Sequence, residues 1–292
     1  MKENRDSAIP IDNLSTVSLE TLSGHAVSRL GLASQYLKEV DCVQAAFEAG
    51  INYFFSYDLS SDRLSGELKP LLTTQRDAIF IATGSESRHP DTLQQYLDQV
   101  RRSLYVSERE SLHTDVIDAF FAEYLSQEDN PHEVEAMLSQ LQQWKAEGCI
   151  RYVGASTHNR EIALQLIEQG GWDVLMLRYN MAHRKAEEEV LPAAQAAGLP
   201  VIAFTCTRWG SLLKRHPQWH EPAPTAADCY RYALHHPAVQ VALTAPATYS
   251  QLQENLTALK APSLAIAEIE RWQTYGDSVY GSGQDAFETQ WL

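Results

Sequence analysis

The chain has 292 residues and a formal net charge of −15, and its composition, 44% hydrophobic and 21% charged, is typical of a globular protein. The negative charge argues against nucleic acid or an anionic membrane surface as the main partner. No stretch approaches the ~20 consecutive apolar residues of a membrane span, and the first residues lack the pattern of a signal peptide. We therefore expect a cytoplasmic protein, a monomer or weak homo-oligomer, whose ligand is a small molecule.

Strand and helix patterns alternate along the chain after a polar, irregular arm at residues 1–22. Residues 78–83, for example, are a continuous apolar run, as in a parallel strand covered on both faces. Proline opens the helix that follows, in which apolar residues recur at helical spacing. The predicted strands are 27–33, 51–55, 78–83, 116–125, 152–156, 174–180, 201–205 and 239–243. The predicted helices are 37–48, 64–72, 90–105, 131–148, 161–169, 186–197, 226–235 and 250–259.

Eight such units at a spacing of ~30 residues predict a single-domain α/β fold, the closed (β/α)8 barrel, over residues 23–273. A doubly wound open sheet is the structural alternative, but no Gly-x-Gly-x-x-Gly follows the first strand. We expect the tail, residues 274–292, to pack on the barrel through its aromatic side chains.

The four cysteines are widely spaced and include no Cys-x-x-Cys pair. This spacing predicts reduced thiols and no metal site. The cysteines are Cys42, Cys149, Cys206 and Cys229.

Polar side chains cluster just after the second strand, where Ser56, Tyr57 and Asp58 follow an apolar run. In an α/β barrel the C-terminal ends of the strands carry the chemistry. The segment therefore predicts part of a functional site.

Several motifs resemble those of the aldo/keto reductases and together cover residues 27–261. Residues 49–54, Ala-Gly-Ile-Asn-Tyr-Phe, match the start of the family pattern A-G-I-N-x-F-D-T-A-x-x-Y-G. Residues 148–156 are similar to G-K-I-R-Y-I-G-V-S, residues 204–213 to Y-S-P-L-x-x-G-x-L, and residues 251–256 to Q-L-x-E-N-L. The resemblance implies a barrel that reduces carbonyls with NADPH bound across the C-terminal strand ends.

The four catalytic positions of that family are all substituted in this chain. Phe55 stands for the Asp, Ser60 for the Tyr, Gly84 for the Lys and Glu123 for the His. In the family a Tyr hydroxyl, tuned by its neighbours, protonates the developing alkoxide. A Ser hydroxyl without a cationic neighbour is a poor acid, so we do not expect conventional ketone reduction.

The cofactor positions implied by the resemblance are partly kept. Ser156 matches one of three residues that bind the nicotinamide carboxamide, whereas Thr157 and Met176 replace the other two. Low-affinity or differently posed NADP(H) binding is the expectation. The residues that the resemblance assigns to the cofactor are Ser156, Arg208, Gly210, Gln251, Glu254 and Asn255.

Glu123 and Tyr57 are the candidates to replace the lost catalytic groups. Glu123 follows an apolar strand, and a strand-end carboxylate is costly unless it is paired or hydrated. Its possible partners include Glu86, and also Arg178 at the end of strand six. Tyr57 lies three positions before the family's Tyr, although a packed aromatic residue at the strand end is the favoured interpretation.

Three functions stay open. The first is an aldo/keto-reductase-like, NADP(H)-linked oxidoreductase with a reorganised site for an unknown small molecule. The second is a catalytically inactive pseudoenzyme that binds or senses a ligand. The third is a non-redox lyase or hydrolase that uses carboxylates. Cofactor binding separates the first two from the third, and turnover separates the first from the second.

Overall fold

A computed structural model describes residues 18–33, 42–59, 63–104 and 116–281. Eight parallel strands pair in sequential order and close into a barrel, which confirms the predicted (β/α)8 fold. The strands are β1 (Leu30–Ala33), β2 (Tyr53–Ser56), β3 (Phe80–Ser85), β4 (Ile117–Ala122), β5 (Ile150–Thr157), β6 (Val174–Arg178), β7 (Val201–Phe204) and β8 (Val239–Thr244).

Helices follow the strands and cover the outside of the barrel. They are α1 (Cys42–Glu48), α2 (Arg63–Gln75), α3 (Pro90–Leu104), α4 (Pro131–Ala146), α5 (Arg160–Gln169), α6 (Val190–Ala196), α7 (Ala226–Ala233), α8 (Tyr249–Lys260) and α9 (Ile266–Tyr280). None of the helices in the described ranges is long and apolar enough to cross a membrane.

The predicted helix at 186–197 differs from the structure, which has a 3-10 turn at Lys185–Glu187 and then α6. Pro192 explains the break, because its ring clashes with the carbonyl of residue 188 in a continuous helix. Helix α9 was not predicted at all.

The barrel interior is filled by inward-facing side chains, most of them aromatic or branched. Tyr53 stacks on Phe80 with ring centroids 4.9 Å apart, and Phe55 meets Phe121 edge to face at 6.1 Å. A Cβ atom at Gly154 would lie 2.4 Å from the Phe121 ring, so only glycine fits there. Because the interior is packed, a ligand site has to lie at one end of the barrel.

The N-terminal end of the barrel is closed by residues 18–27. Leu19 is fully buried, and Glu20 pairs with Ala26 in an antiparallel bridge. Arg151 donates a 2.7 Å hydrogen bond to the Glu20 carbonyl and contacts the Asp118 carboxylate at the same distance. The described part of the predicted arm is therefore packed, because Leu19 is needed to seal this end. Residues 1–17 lie outside the described residues.

Helix α9 packs across the loops that follow β6 and β7. Gly276 sits so close to Met181 that a Cβ atom would lie 1.9 Å from the Met181 carbonyl oxygen. Arg208 donates a 2.9 Å hydrogen bond to the Val279 carbonyl. The predicted start of the tail, residue 274, falls inside this helix, and residues 282–292 lie outside the described ranges. The helix fixes the loops at the C-terminal end of the barrel, which we call the mouth.

Candidate functional site

The C-terminal ends of β2, β3 and β4 bring three of the substituted positions together. Phe55 is fully buried and packs edge to face on Tyr57, with ring centroids 4.8 Å apart. Gly84 lies near the end of β3, and Glu123 follows β4 directly, its backbone N–H bonded to the Ser85 carbonyl at 2.9 Å. Ser60 lies outside the described residues. Glu123 and Tyr57 are thus both at the mouth, as predicted.

Gly84 and Glu123 interlock. A Cβ atom at Gly84 would lie 2.6 Å from both Cγ and Oε1 of Glu123, and equally close to the Phe121 carbonyl oxygen. Any larger residue would therefore force the Glu123 side chain or the β4 backbone to move. The missing side chain at residue 84 makes the space in which the Glu123 carboxyl lies.

Glu123 is a buried acid with an unsatisfied oxygen. Only 3% of the residue is exposed, and Oε1 has no hydrogen-bond partner among the described residues. Burial, followed by the negative charge of Glu86, raises its pKa to about 8, and the charge of Arg88 partly opposes this increase. At neutral pH the carboxyl is therefore mostly protonated and able to donate.

Arg88 holds the backbone around this acid. Its guanidinium pairs with the Asp129 carboxylate at 2.9 Å and donates to the carbonyls of Glu86 at 2.7 Å and Glu123 at 2.8 Å. Bidentate pairing of this kind fixes geometry as well as charge. Sequence reasoning missed Arg88, because neither its partner Asp129 nor the two carbonyls stand at a recognisable spacing.

A row of aromatic rings crosses the mouth from β2 to β5. Tyr57 stacks on Tyr124 at 6.2 Å, and Tyr124 stacks on His158 at 5.5 Å. Burial and the Tyr57 hydroxyl, which hydrogen-bonds to Tyr124, raise the Tyr124 pKa far above its usual value. Tyr124 also has a φ of 53°, an uncommon value outside glycine, and its N–H donates to Ser156 Oγ at 2.9 Å. Such strained positions often lie at functional sites.

The opposite side of the mouth is basic. Burial, followed by the charge of Arg178, lowers the pKa of His158 to about 4. Burial also lowers that of His183 to about 3, with Arg178, Arg208 and then His158 adding to the effect. Both imidazoles are neutral at pH 7. Arg178, considered above as a partner of Glu123, lies at the end of β6 and acts on these two histidines.

The three residues at the positions that bind the nicotinamide carboxamide in the family differ in their ability to form hydrogen bonds. Ser156 is buried beside Met176, its neighbour in the β5–β6 register. The Thr157 hydroxyl donates a 2.6 Å hydrogen bond to the Leu125 carbonyl and is used within the fold. Met176 is apolar and has no hydrogen bond to give. A carboxamide can therefore be bound through Ser156 alone of these three.

The other predicted cofactor residues lie on two neighbouring segments, the loop after β7 and helix α8. Gly210 has a φ of +79° and open space around its Cα atom. Gln251 accepts a hydrogen bond from the Ala247 N–H at 2.7 Å, and the Asn255 amide donates to Thr244 Oγ1 at 2.8 Å. Glu254 is exposed. Arg208 is buried and held by α9, so the predicted set is brought together but is partly engaged within the chain.

Two exposed aromatic residues lie on these segments. Trp209 is 40% exposed in the loop after β7, and Tyr249 is 49% exposed at the start of α8. Both are large planar surfaces of the kind on which a nucleotide base stacks. Within the parts of the chain that the structure describes, no group of three His, Cys, Asp or Glu residues is placed to hold a metal ion.

Comparison with known proteins gives a consistent result. A sequence model of the Aldo/keto reductase family matches residues 28–228. An uncharacterized oxidoreductase of Bacillus subtilis, YqkF, is 24% identical, the match covering 84% of this chain and 90% of that protein. D-threo-aldose 1-dehydrogenase of a Pseudomonas species is 22% identical over 60% of this chain and 61% of its own length.

Solved structures share the fold. The holo form of aldo-keto reductase AKR11C1 from Bacillus halodurans superposes with a TM-score of 0.71 at 20% identity, covering 92% of this chain and 99% of that one. The thermostable aldo-keto reductase Tm1743, in complex with the inhibitor epalrestat, gives a TM-score of 0.67 at 18% identity, and the match covers 86% of this chain and 96% of that one.

Proposed function

Because the chain belongs to the aldo/keto reductase family, we propose that it is an NADP(H)-linked oxidoreductase for a small organic molecule, with Glu123 and Tyr57 in place of the usual catalytic groups. The observation that carries this proposal is the buried Glu123 carboxyl, which lies at the mouth with an unpartnered oxygen. A buried polar group without a partner costs free energy. It is retained at functional sites more often than elsewhere.

The cofactor would be held by two groups of residues. Ser156 would bind the carboxamide at the centre of the mouth, and Glu254 and Asn255 would hold the adenine. Gln251 on α8 and the loop carrying Arg208 and Gly210 would complete the adenosine and phosphate part of the site. When bound, the reduced nicotinamide supplies a hydride. The exposed rings of Trp209 and Tyr249 support a base-binding role for this side of the barrel.

The chain itself would contribute a proton on the Glu123 carboxyl, which is buried away from water. Glu86 and the apolar surroundings keep Glu123 protonated at neutral pH, so its hydroxyl can donate to a substrate atom that gains electron density. The hydrogen-bonded hydroxyls of Tyr57 and Tyr124 offer a second donor nearby. The aromatic row and Phe55 exclude solvent from this side of the mouth, which strengthens each hydrogen bond to the substrate.

The experiment is a turnover screen. Purified protein is mixed with NADPH and a library of small carbonyl and imine compounds, and loss of nicotinamide absorbance is followed. We expect at least one substrate to be reduced, and Glu123→Gln to abolish that turnover while NADPH binding persists. The matched control is Glu135→Gln, which removes an exposed carboxylate on α4. NADPH binding without turnover of any compound would contradict the proposed enzyme function.

One observation favours a binding protein as the second candidate. Phe55 and Gly84 carry no functional group, so two of the four family positions cannot take part in proton transfer. A binding protein would show saturable NADPH binding and no turnover in the same screen.

The third candidate, a carboxylate-dependent lyase or hydrolase, rests on the proximity of Glu86 to Glu123, and it would turn over a substrate without any nicotinamide.

A further inference from the structure

The charged side chains at the mouth form an acidic group and a basic group. Asp58, Glu86 and Glu123, which we call the acidic sector, follow β2, β3 and β4. Burial, together with the charges of Asp58 and Glu123, raises the pKa of Tyr96 to about 12, so the two carboxyls act on the same side chain. The basic residues, Arg178 at the end of β6 and Arg208 after β7, act instead on the histidines, Arg178 on both His158 and His183 and Arg208 on His183.

Arg88 lies beside Glu86 and Glu123, but its charge is paired with that of Asp129. Arg88 forms a bidentate pair with Asp129, with Nε 2.9 Å from Oδ1 and Nη2 3.2 Å from Oδ2. Its remaining hydrogen bonds go to backbone carbonyls. The pair of Arg88 and Asp129 is neutral overall, so Arg88 only partly offsets the negative charge of Glu86 at the Glu123 carboxyl.

Acidic loop residues are ordinarily solvated and need no ligand. Glu123 is different, because it is 3% exposed and its Oε1 has no hydrogen-bond partner among the residues described. The hydroxyls of Tyr57 and Tyr124, which hydrogen-bond to each other, lie on the same side of the mouth, and hydroxyl oxygens can accept hydrogen bonds. A buried carboxyl with an unpartnered oxygen, the nearby charge of Glu86 and these hydroxyl oxygens together form a site for a positively charged N–H group.

We propose that the acidic sector binds a positively charged nitrogen of the substrate, as in a protonated imine, with Glu123 as its counter-ion. The proposal rests on the proposed function, because it names the substrate class of the same site. For such a substrate Glu123 would act as an anion that has given up its proton on binding, in place of the proton-donor role described above for a carbonyl substrate.

A protonated imine carries its proton before reduction begins. The carbon of the C=N⁺ bond accepts a hydride, the π electron pair moves to nitrogen, and a neutral amine forms. No alkoxide arises, so no acid has to deliver a proton during that step. The co-reactant is a reduced nicotinamide, which loses two electrons. The chemistry therefore needs a counter-ion near nitrogen more than it needs a tuned acid.

Binding of a cation has a measurable consequence for Glu123. Among the described residues, the titratable and charged groups that interact with its carboxyl are Glu86 and Arg88 after β3, Tyr96 on α3, and Tyr124, while Asp58 acts on Tyr96 and Tyr57 on Tyr124. With a pKa of about 8, Glu123 is about nine-tenths protonated at pH 7. A bound cation favours the carboxylate, so close to one proton should be released for each ligand bound.

The test uses three probes of similar shape and different charge: benzylammonium, benzyl alcohol and benzoate. Their binding to the full-length protein is measured by titration calorimetry at pH 7, in phosphate and in Tris, whose ionisation enthalpies differ. We expect benzylammonium to bind at least about tenfold more tightly than the other two, with close to one proton released. Glu123→Gln should lower that affinity about tenfold or more and abolish the proton release, Glu86→Gln should lower it less, and Glu135→Gln should leave it unchanged.

The proposal is overturned if benzylammonium does not bind, if it binds no better than benzyl alcohol or benzoate, or if Glu123→Gln binds it as well as the parent. NADPH binding, measured in the same samples by nicotinamide fluorescence, separates the two proposals. If the protein binds NADPH normally but shows no preference for the cation, the proposed substrate class is refuted and the proposed oxidoreductase function is not. If it binds the cation but not NADPH, the proposed oxidoreductase function is refuted and the cation site is supported.

Discussion

The Glu123→Gln variant should make the protein's stability less dependent on pH. In the folded chain the Glu123 pKa is raised from 4.5 to about 8, because the carboxyl is buried beside Glu86. The folded state therefore binds more protons than the unfolded state between these values, and stability falls as pH rises through this window. Glutamine does not titrate, so the variant escapes this loss.

The size of the effect follows from the two pKa values. At about 1.4 kcal/mol per pH unit, the change is worth about 5 kcal/mol in total, of which about 3 kcal/mol falls between pH 5 and pH 8. Because Glu123 is almost fully buried, little of this is lost to solvent screening. Relative to the parent, Glu123→Gln should therefore gain about 3 kcal/mol of unfolding free energy across that interval.

Urea unfolding at half-unit steps from pH 5 to pH 8 measures this difference. Glu135→Gln, an exposed carboxylate on α4, controls for the loss of one surface charge and should give a nearly constant difference from the parent. A difference between Glu123→Gln and the parent that stays constant with pH would show that Glu123 is ionised in the folded protein. The reasoning about its burial would then be wrong.

Three further outcomes are expected. Gly84→Ala should lose about 1–3 kcal/mol of unfolding free energy, measured with urea, because its Cβ atom would lie 2.6 Å from Glu123 and from the Phe121 carbonyl oxygen. The control Gly66→Ala, which has open space in α2, should not destabilise the protein, and equal stabilities of the two variants would refute the close contact of residue 84 with Glu123. Phe55→Asp should lose about 2–5 kcal/mol by calorimetry, since it places a carboxylate in the packed interior, and an unchanged melting temperature would mean that the ring is not packed there. Turnover of generic carbonyls such as nitrobenzaldehyde or phenanthrenequinone with NADPH should stay well below about 1 s⁻¹, because the family's tuned proton donor is missing, and faster turnover would contradict this view of the site.

The barrel could be predicted from sequence because each strand is a compact apolar run and each is followed by helical spacing. Segments in which the apolar residues do not follow a clear strand or helix pattern were not predicted. Helix α9 alternates charged residues such as Glu268 and Arg271 with the buried Trp272 and Tyr275, so its apolar face is narrow. The break before α6 depends on one proline, Pro192, whose effect on the preceding turn is easily overlooked.

The site was predicted only in part. Glu123 could be identified because a carboxylate directly after a buried strand is unusual. Its burial and its unpartnered oxygen could not, because they depend on the close approach of Gly84 from the neighbouring strand. The aromatic row depends on the positive φ of Tyr124, which turns that ring between Tyr57 and His158. Such features arise from packing between strands and leave no local pattern in the sequence.

Equilibrium binding of NADPH, followed by the enhancement of its fluorescence on titration with the protein, tests the central claim most directly. The mouth keeps Ser156 for the carboxamide and Gln251, Glu254 and Asn255 on α8 for the adenosine. We therefore predict saturable binding with a Kd below about 1 mM, equivalent to more than about 4 kcal/mol, and weaker binding by Ser156→Ala. No saturable change up to millimolar concentrations would contradict a nicotinamide-linked site in this barrel.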